Sequence, residues 1–201
     1  METFITNKVE VTSQNFNDIA NKFLNESALS VNNEIYRILE IEIYLHDKTH
    51  PDIYSHCDAD QLQYGGFYFH KFKNGTFKSG TFKGMDISLG NAETQKYCGI
   101  LIRAIQNVGT TEIIEGPCLS VNRILQEYKA SDIKEFVAQK YDNPLKLIDY
   151  KHSVEQIYVG PRIGLQSKTS KVVKSVEFVD KDYRYLIYKT KKGRKSLKLL
   201  V

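Results

Sequence analysis

Residues 34–45 read Glu34-Ile35-Tyr36-Arg37-Ile38-Leu39-Glu40-Ile41-Glu42-Ile43-Tyr44-Leu45. The period is two. Ile35, Leu39, Ile41, Ile43 and Leu45 fall on one side, and Glu34, Tyr36, Ile38, Glu40, Glu42 and Tyr44 on the other. That alternation predicts a long strand with an apolar face and a face that bears carboxylates. Upstream, Phe16, Ile19, Ala20, Phe23 and Leu24 recur at helical spacing behind Thr12 and Ser13, predicting a helix near Gln14–Asn25. Downstream, a loop rich in His and Asp runs from His46 to Gln61, and Gly65-Gly66 opens a strand through His70.

Glycines punctuate the next stretch. Asn74-Gly75 is a hairpin-turn candidate, and Gly84 leads into a strand over Met85-Asp86-Ile87-Ser88. Cys98 to Ile105 is an almost unbroken apolar strand, interrupted by Arg103. After Gly116-Pro117 the pattern returns to helical, with Leu119, Ile124 and Leu125 in one segment, then Ser131 as a cap for Ile133, Phe136 and Val137. The end reads as strands over Val172–Val179, Tyr183–Tyr188 and Leu197–Val201, with a turn at Lys191-Lys192-Gly193-Arg194. Strands dominate and helices cluster, so the expected class is α+β, in one domain over residues 1–201.

The 201 residues include 28 basic and 24 acidic side chains, a net charge of +4. The charge is uneven: residues 1–150 hold 15 basic and 20 acidic side chains, residues 151–201 hold 13 and 4. A basic end suits a surface that meets phosphates, and equally a solvated lysine-rich tail. Cys57, Cys98 and Cys118 have no repeated spacing, which suggests neither a disulfide framework nor a zinc site. No apolar run approaches the ~20 residues of a membrane span, and nothing reads as a signal peptide, so a soluble intracellular monomer is expected.

Two features bear on chemistry. Glu40, Glu42 and Tyr44 project from one face, with successive side chains about 7 Å apart, enough for a water between carboxylates. Arg103, inside Ile100-Leu101-Ile102-Arg103-Ala104-Ile105, must find an anion, because an unpaired buried charge costs several kcal/mol. Pairing with Glu42 or Glu40 would create a carboxylate–guanidinium centre, catalytic or purely structural. His46, His50, His56 and His70 fall among Asp47, Asp52, Cys57, Asp58 and Asp60. Their spacings match no metal signature, so neither a metal nor a cofactor is assigned, and a metal-dependent hydrolase stays an alternative.

In order along the chain, these blocks resemble the alkyladenine (3-methyladenine) DNA glycosylase family. Arg37 to Leu45 is similar to that family's ETEAYL strand, Tyr54-Ser55-His56 to its AHS, Gly84 to Ser88 to its MNIS strand, and Ile100 to Ala104 to its VLLRA strand. Gly116-Pro117 opens a helix as there. Pro161-Arg162-Ile163-Gly164 and Tyr183 to Tyr188 resemble the closing ARVGV and LRFYV segments. The resemblance covers roughly residues 37–190. It implies a mixed, mostly antiparallel, barrel-like sheet with flanking helices, like the C-terminal domain of methionyl-tRNA formyltransferases.

It further implies hydrolysis of an N-glycosidic bond that releases a modified base from DNA, duplex or single-stranded. Glu42 would activate water and Arg103 would orient it. Tyr44 and His56 would contact the extruded base, with Asp86, where the family has an asparagine, and Glu40 beside it. Phosphate contacts would come from Lys78, Lys83 and Lys168. The family's inserted tyrosine has no counterpart between Asn74 and Lys83, where Phe77 is the substitute wedge. A non-catalytic nucleic-acid binder on the same scaffold is the remaining alternative.

Overall fold

A computed structural model describes residues 10–165, 177–187 and 197–200. Its strands are β1 (Ser27–Val31), β2 (Glu34–His46), β3 (Tyr64–Phe69), β4 (Met85–Leu89), β5 (Tyr97–Asn107), β6 (Ile113–Glu115), β7 (Lys146–Asp149), β8 (Tyr158–Gly160), β9 (Arg184–Leu186) and β10 (Lys198–Leu199). The helices are α1 (Phe16–Asn25), α2 (Pro117–Glu127) and α3 (Ile133–Ala138). The class is α+β, built on one large sheet in which every described pairing is antiparallel. Its end strands β3 and β10 are not paired with each other among the described residues, so strand pairing does not close the expected barrel.

The long strands β2 and β5 pair along their whole length, Tyr36 to Asn107 at one end and His46 to Tyr97 at the other. Each changes its outer neighbour half-way. β2 pairs with β1 up to Arg37 and with β9 from Glu40. β5 pairs with β4 up to Leu101 and with β6 from Ala104. At this crossing the register slips, with Ile38 opposite Ile105, Glu40 opposite Ala104 and Ile41 opposite Ile102, which skips Leu39 on one strand and Arg103 on the other.

The irregularity corrects the expected faces. A bulge breaks strict alternation. Ile41, Ile43 and Leu45 enter the apolar cluster as expected, but so do Tyr36 and Ile38, which alternation placed with the carboxylates. Past the crossing the sheet has two distinct faces. Met85, Ile87, Ile100, Ile102 and Tyr185 join the apolar cluster, together with Ile19, Phe23 and Leu24 of α1 and Val121 and Ile124 of α2. The opposite face carries Glu40, Glu42, Tyr44, Asp86, Leu101, Arg103 and Arg184, because these alternate with the core residues.

Local differences have local causes. The first predicted turn of α1 is a 3-10 turn over Ser13–Asn15, closed where Asn15 accepts from the Thr12 amide. The cap of α3 is Asp132, which accepts from the Glu135 amide, while Ser131 donates to the Glu135 carboxylate. Leu119 and Val137, read as apolar stripe residues, are exposed. β1, β7 and β8 are short strands without a strong periodic signal. Of the expected strand Val172–Val179, residues 172–176 lie outside the described residues and 177–179 are not strand. Tyr188, the Lys191–Arg194 turn and Lys168 also lie outside them. No helix is long and apolar enough to cross a membrane among the described residues.

Candidate active site

Arg103 sits at the crossing of β2 and β5 and meets both carboxylates. Its Nε donates to Glu40 Oε1 at 2.8 Å, and its Nη1 lies 3.2 Å from Glu42 Oε1. A second guanidinium completes the cluster: Arg184, the residue opposite Glu42 on β9, donates from Nε to Glu40 Oε1 at 2.7 Å. Glu40, Glu42 and Arg184 are buried. Two carboxylates and two guanidiniums in one patch balance in charge, which is what makes their burial tolerable. Glu40 therefore holds two arginines in place and does not border the substrate cavity described below, contrary to the expectation that it binds substrate.

Glu42 has both oxygens engaged. Oε1 accepts the backbone N–H of Ile163 at 2.7 Å, and Oε2 accepts the Tyr44 hydroxyl at 2.8 Å. Burial raises its pKa, and that outweighs Arg103, the Ile163 amide and Tyr44, all of which favour the carboxylate. Burial pulls the other way on Arg103, but the charges of Glu42 and Glu40 win and raise its pKa. The amide of Ile163 is brought in by Arg162, which donates to the Ile43 carbonyl at 3.2 Å and pairs with Asp52 in a wholly buried ion pair. The Arg162 guanidinium also lies 4.3 Å over the ring of Tyr44 and so covers one of its faces.

A row of cross-strand partners runs from this cluster across the sheet: Arg184, Glu42, Leu101, Asp86 and Tyr68. Two strand spacings, about 10 Å, separate Glu42 from Asp86. In the neighbouring row Tyr44, Gly99 and Ser88 are partners, and Gly99 leaves the space that a side chain would fill. A Cβ there would collide with Asp86 Oδ2 and Gln61 Nε2.

The result is a cavity of about 130 Å³ walled by the rings of Tyr44, Tyr54, His56 and His70, with Leu101, Leu165, Gln61 and Asp86. An apolar cavity of ~150 Å³ accepts a benzene ring, so this one suits a single planar ring system. Its polar wall is tightly organised. Asp86 accepts from Gln61 Nε2 at 2.9 Å, and its Oδ1 lies 2.7 Å from His70 Nε2. His56 Nδ1 is 3.0 Å from the Tyr68 hydroxyl and its Nε2 is 3.3 Å from Lys78 Nζ. The His56 residue as a whole is exposed, but its ring is hemmed in. Desolvation, then the charges of His70 and Lys78, push its pKa down to about 4.

Comparison with known proteins gives one kinship. No family model matches the chain. It is 42% identical over 205 residues to "Uncharacterized protein L759" of Acanthamoeba polyphaga mimivirus, with 92% of each chain covered. The chain belongs to the family of that viral protein. This kinship carries no activity with it, so function is argued from the site.

Of the residues predicted to act together, Glu42, Arg103 and Tyr44 are in direct contact, and Tyr44, His56 and Asp86 border one cavity. Glu42 itself is fully buried and reaches that cavity through the Tyr44 hydroxyl. Phe77 does not stand out as a wedge. It is half-buried and packs against the core. The exposed aromatics of its segment are Phe82, at 72%, and Phe72, at 48%. Lys78 and Lys83 line a groove of about 490 Å³ with Lys134 across it, and Lys78 also reaches His56. The four loop histidines do not converge. His46 Nδ1 meets the Asp52 carbonyl, and His50 packs on Phe178 and Phe16. No three His, Cys, Asp or Glu side chains are grouped to hold a metal ion among the described residues.

Sequence reasoning missed Arg184, His70 and the Ile163 amide. Arg184 had a signal, a cation between apolar Tyr183 and Tyr185 in a strand, of the same kind as Arg103. The Ile163 amide had none.

Proposed function

We propose that the protein hydrolyses an N-glycosidic bond and releases a modified base from nucleic acid, on a fold of the alkyladenine glycosylase kind. The observation that carries this reading is the coupling of the buried Glu42–Arg103 centre, through the Tyr44 hydroxyl, to a ring-sized aromatic cavity. Leaving-group departure puts positive charge on the sugar. A buried carboxylate both offsets that charge and takes a proton from the attacking water. Flat rings around the cavity suit a base taken out of its stack.

The nucleic-acid partner is supported by the segment 71–83, which holds four lysines and no acid. Exposed Phe72 and Phe82 are interleaved with those lysines. Aromatics set among cations bind unstacked bases and phosphates. Phe82 replaces Phe77 in this reading as the side chain that enters a stack.

The test is base release from single- and double-stranded oligonucleotides, each carrying one alkylated or deaminated base. Release by the wild-type protein and loss by a factor of at least ~10² in Glu42→Gln, with the melting curve retained, supports the reading. Release that survives Glu42→Gln rejects it. A second reading, nucleic-acid binding without chemistry, is favoured by the complete burial of Glu42 and the engagement of both its oxygens. Salt-sensitive oligonucleotide binding with no release of any base would select that second reading.

A further inference from the structure

The polar wall of the cavity contains a carboxylate–imidazole pair that the scheme above leaves unused. A departing base keeps the electron pair of the C1′–N bond. A cationic base then leaves neutral, whereas an uncharged base would leave as an anion unless it gains a proton. We propose that His70, oriented by Asp86, is the proton donor that lets this cavity release uncharged bases. The inference rests on the hydrolytic reading and deepens it by naming the substrate class.

The hydrogen bonds assign the protons. A carboxylate only accepts, so His70 Nε2 carries a hydrogen toward Asp86 Oδ1 at 2.7 Å. The other oxygen of Asp86 is taken by Gln61. Asp86 therefore acts on the imidazole and is a positioning residue. Nδ1 of His70 has no hydrogen-bond partner among the described residues, and the ring borders the cavity. A protonated His70 carries its second hydrogen on Nδ1, available to a ligand.

The neighbouring ring has a different assignment. His56 lies 4.4 Å away, centroid to centroid. The Lys78 ammonium has only hydrogens to give, so His56 Nε2 accepts, and this ring is neutral with its hydrogen on Nδ1 toward Tyr68. The low pKa of His56 agrees with that state. Of two touching imidazoles, one can hold a charge and the other does not, the division of labour expected of a general acid and its neighbour.

The backbone makes room for this pair. A Cβ at Gly84 would collide with the His70 ring, and one at Gly99 with Asp86 and Gln61. The groups that face His70 are Asp86 from β4, Tyr68 from β3, His56 from the preceding loop and Lys78 from the following hairpin, behind His56. Asp86 favours the cation, and Lys78 opposes it.

In the step itself the C1′–N bond breaks and its electron pair goes to the base. The Nδ1 proton of His70 moves to a ring nitrogen of the base. The water oxygen bonds to C1′ and its proton passes to Glu42. Free base and a sugar hydroxyl result, and both side chains then exchange protons with solvent.

The experiment compares single-turnover release of hypoxanthine, which is uncharged, and of 7-methylguanine, which is cationic, between pH 5 and 9. Wild-type protein should release both. Its hypoxanthine rate should fall as rising pH removes the His70 proton, with no such limb for 7-methylguanine. His70→Gln should lose hypoxanthine release by a factor on the order of 10² while 7-methylguanine release stays comparable to wild type. Asp86→Asn should move the hypoxanthine limb to lower pH, since it removes the anion that favours protonated His70. Equal slowing of both bases in His70→Gln would overturn the proposal, as would wild-type release of 7-methylguanine alone or a hypoxanthine rate without the limb. Each of these leaves hydrolysis standing. Release of neither base by the wild type removes the hydrolytic reading and this proposal together.

Discussion

The Tyr44 hydroxyl donates to Glu42 Oε2 across 2.8 Å, two residues apart on one strand, and so joins a fully buried carboxylate to the wall of the cavity. Alternation along β2 puts the two side chains on the same face, and the Arg162 guanidinium over the Tyr44 ring fixes its tilt.

Replacing Tyr44 with Phe keeps the ring and removes this bond. The bond favours ionised Glu42, so its loss raises a pKa that burial has already raised. A hydrogen bond to a charged group is worth about 1.5 kcal/mol or more, so the pH at which Glu42 ionises moves up by about one unit. In Tyr44→Phe, base release should fall at low pH and recover at high pH. A pH–rate profile whose acid limb coincides with that of the wild type rejects this coupling.

Arg103 faces two buried carboxylates, and Arg184 binds only Glu40 among the contacts described above. Arg103→Met leaves Glu42 buried without its cation and should cost about 3–5 kcal/mol of stability at neutral pH, the usual penalty for breaking a buried pair. Losing Arg103 raises the Glu42 pKa further, and the protonated form needs no partner. The deficit should therefore shrink as pH falls, and Glu42→Gln added to Arg103→Met should recover part of it. Urea denaturation at pH 7.5 and 5.0 measures both; a deficit independent of pH contradicts the argument.

Asp52 and Arg162 are both without exposed side-chain surface. Asp52→Ala strands a guanidinium that also holds the Ile43 and Phe178 carbonyls. A loss of about 3–5 kcal/mol is expected. Asp52→Ala combined with Arg162→Met should be less destabilised than Asp52→Ala alone. Additive losses in that cycle would show that the pair is not coupled.

His56 titrates at about 4 in the folded protein, below its ordinary value near 6.5. Above both values the ring is neutral folded or unfolded, and its stabilising contribution is complete. As pH falls from about 6.5 to 4 the unfolded chain takes up a proton that the folded chain refuses, so stability is lost across that window. His56→Gln should lose less melting temperature between pH 7.5 and 5.0 than the wild type does. An equal or larger loss would mean that the ring is not held neutral.

Much of the centre was legible along the chain because strand alternation and charge burial are local rules. The E-x-E-x-Tyr face of β2 follows from a period of two, and Arg103 in an apolar strand demanded an anion before any partner was visible. The same rule misplaced Tyr36 and Ile38, since a bulge changes parity without a sequence mark of its own. Phe77 and Phe82 look alike in sequence, and only packing makes the first half-buried and the second exposed.

The sequence by itself determined the α+β class, the long carboxylate-bearing strand and the need of Arg103 for an anion. These depend on spacing and on the cost of burying charge. Only the tertiary structure decided that the anion is both Glu40 and Glu42, that Arg184 arrives from 144 positions away, and that the Ile163 amide caps Glu42. It also brought His70, Asp86 and Gln61 together around space left by Gly84 and Gly99. Periodicity specifies which way a side chain faces, whereas the strand that comes to lie opposite is chosen by the packing of the whole sheet.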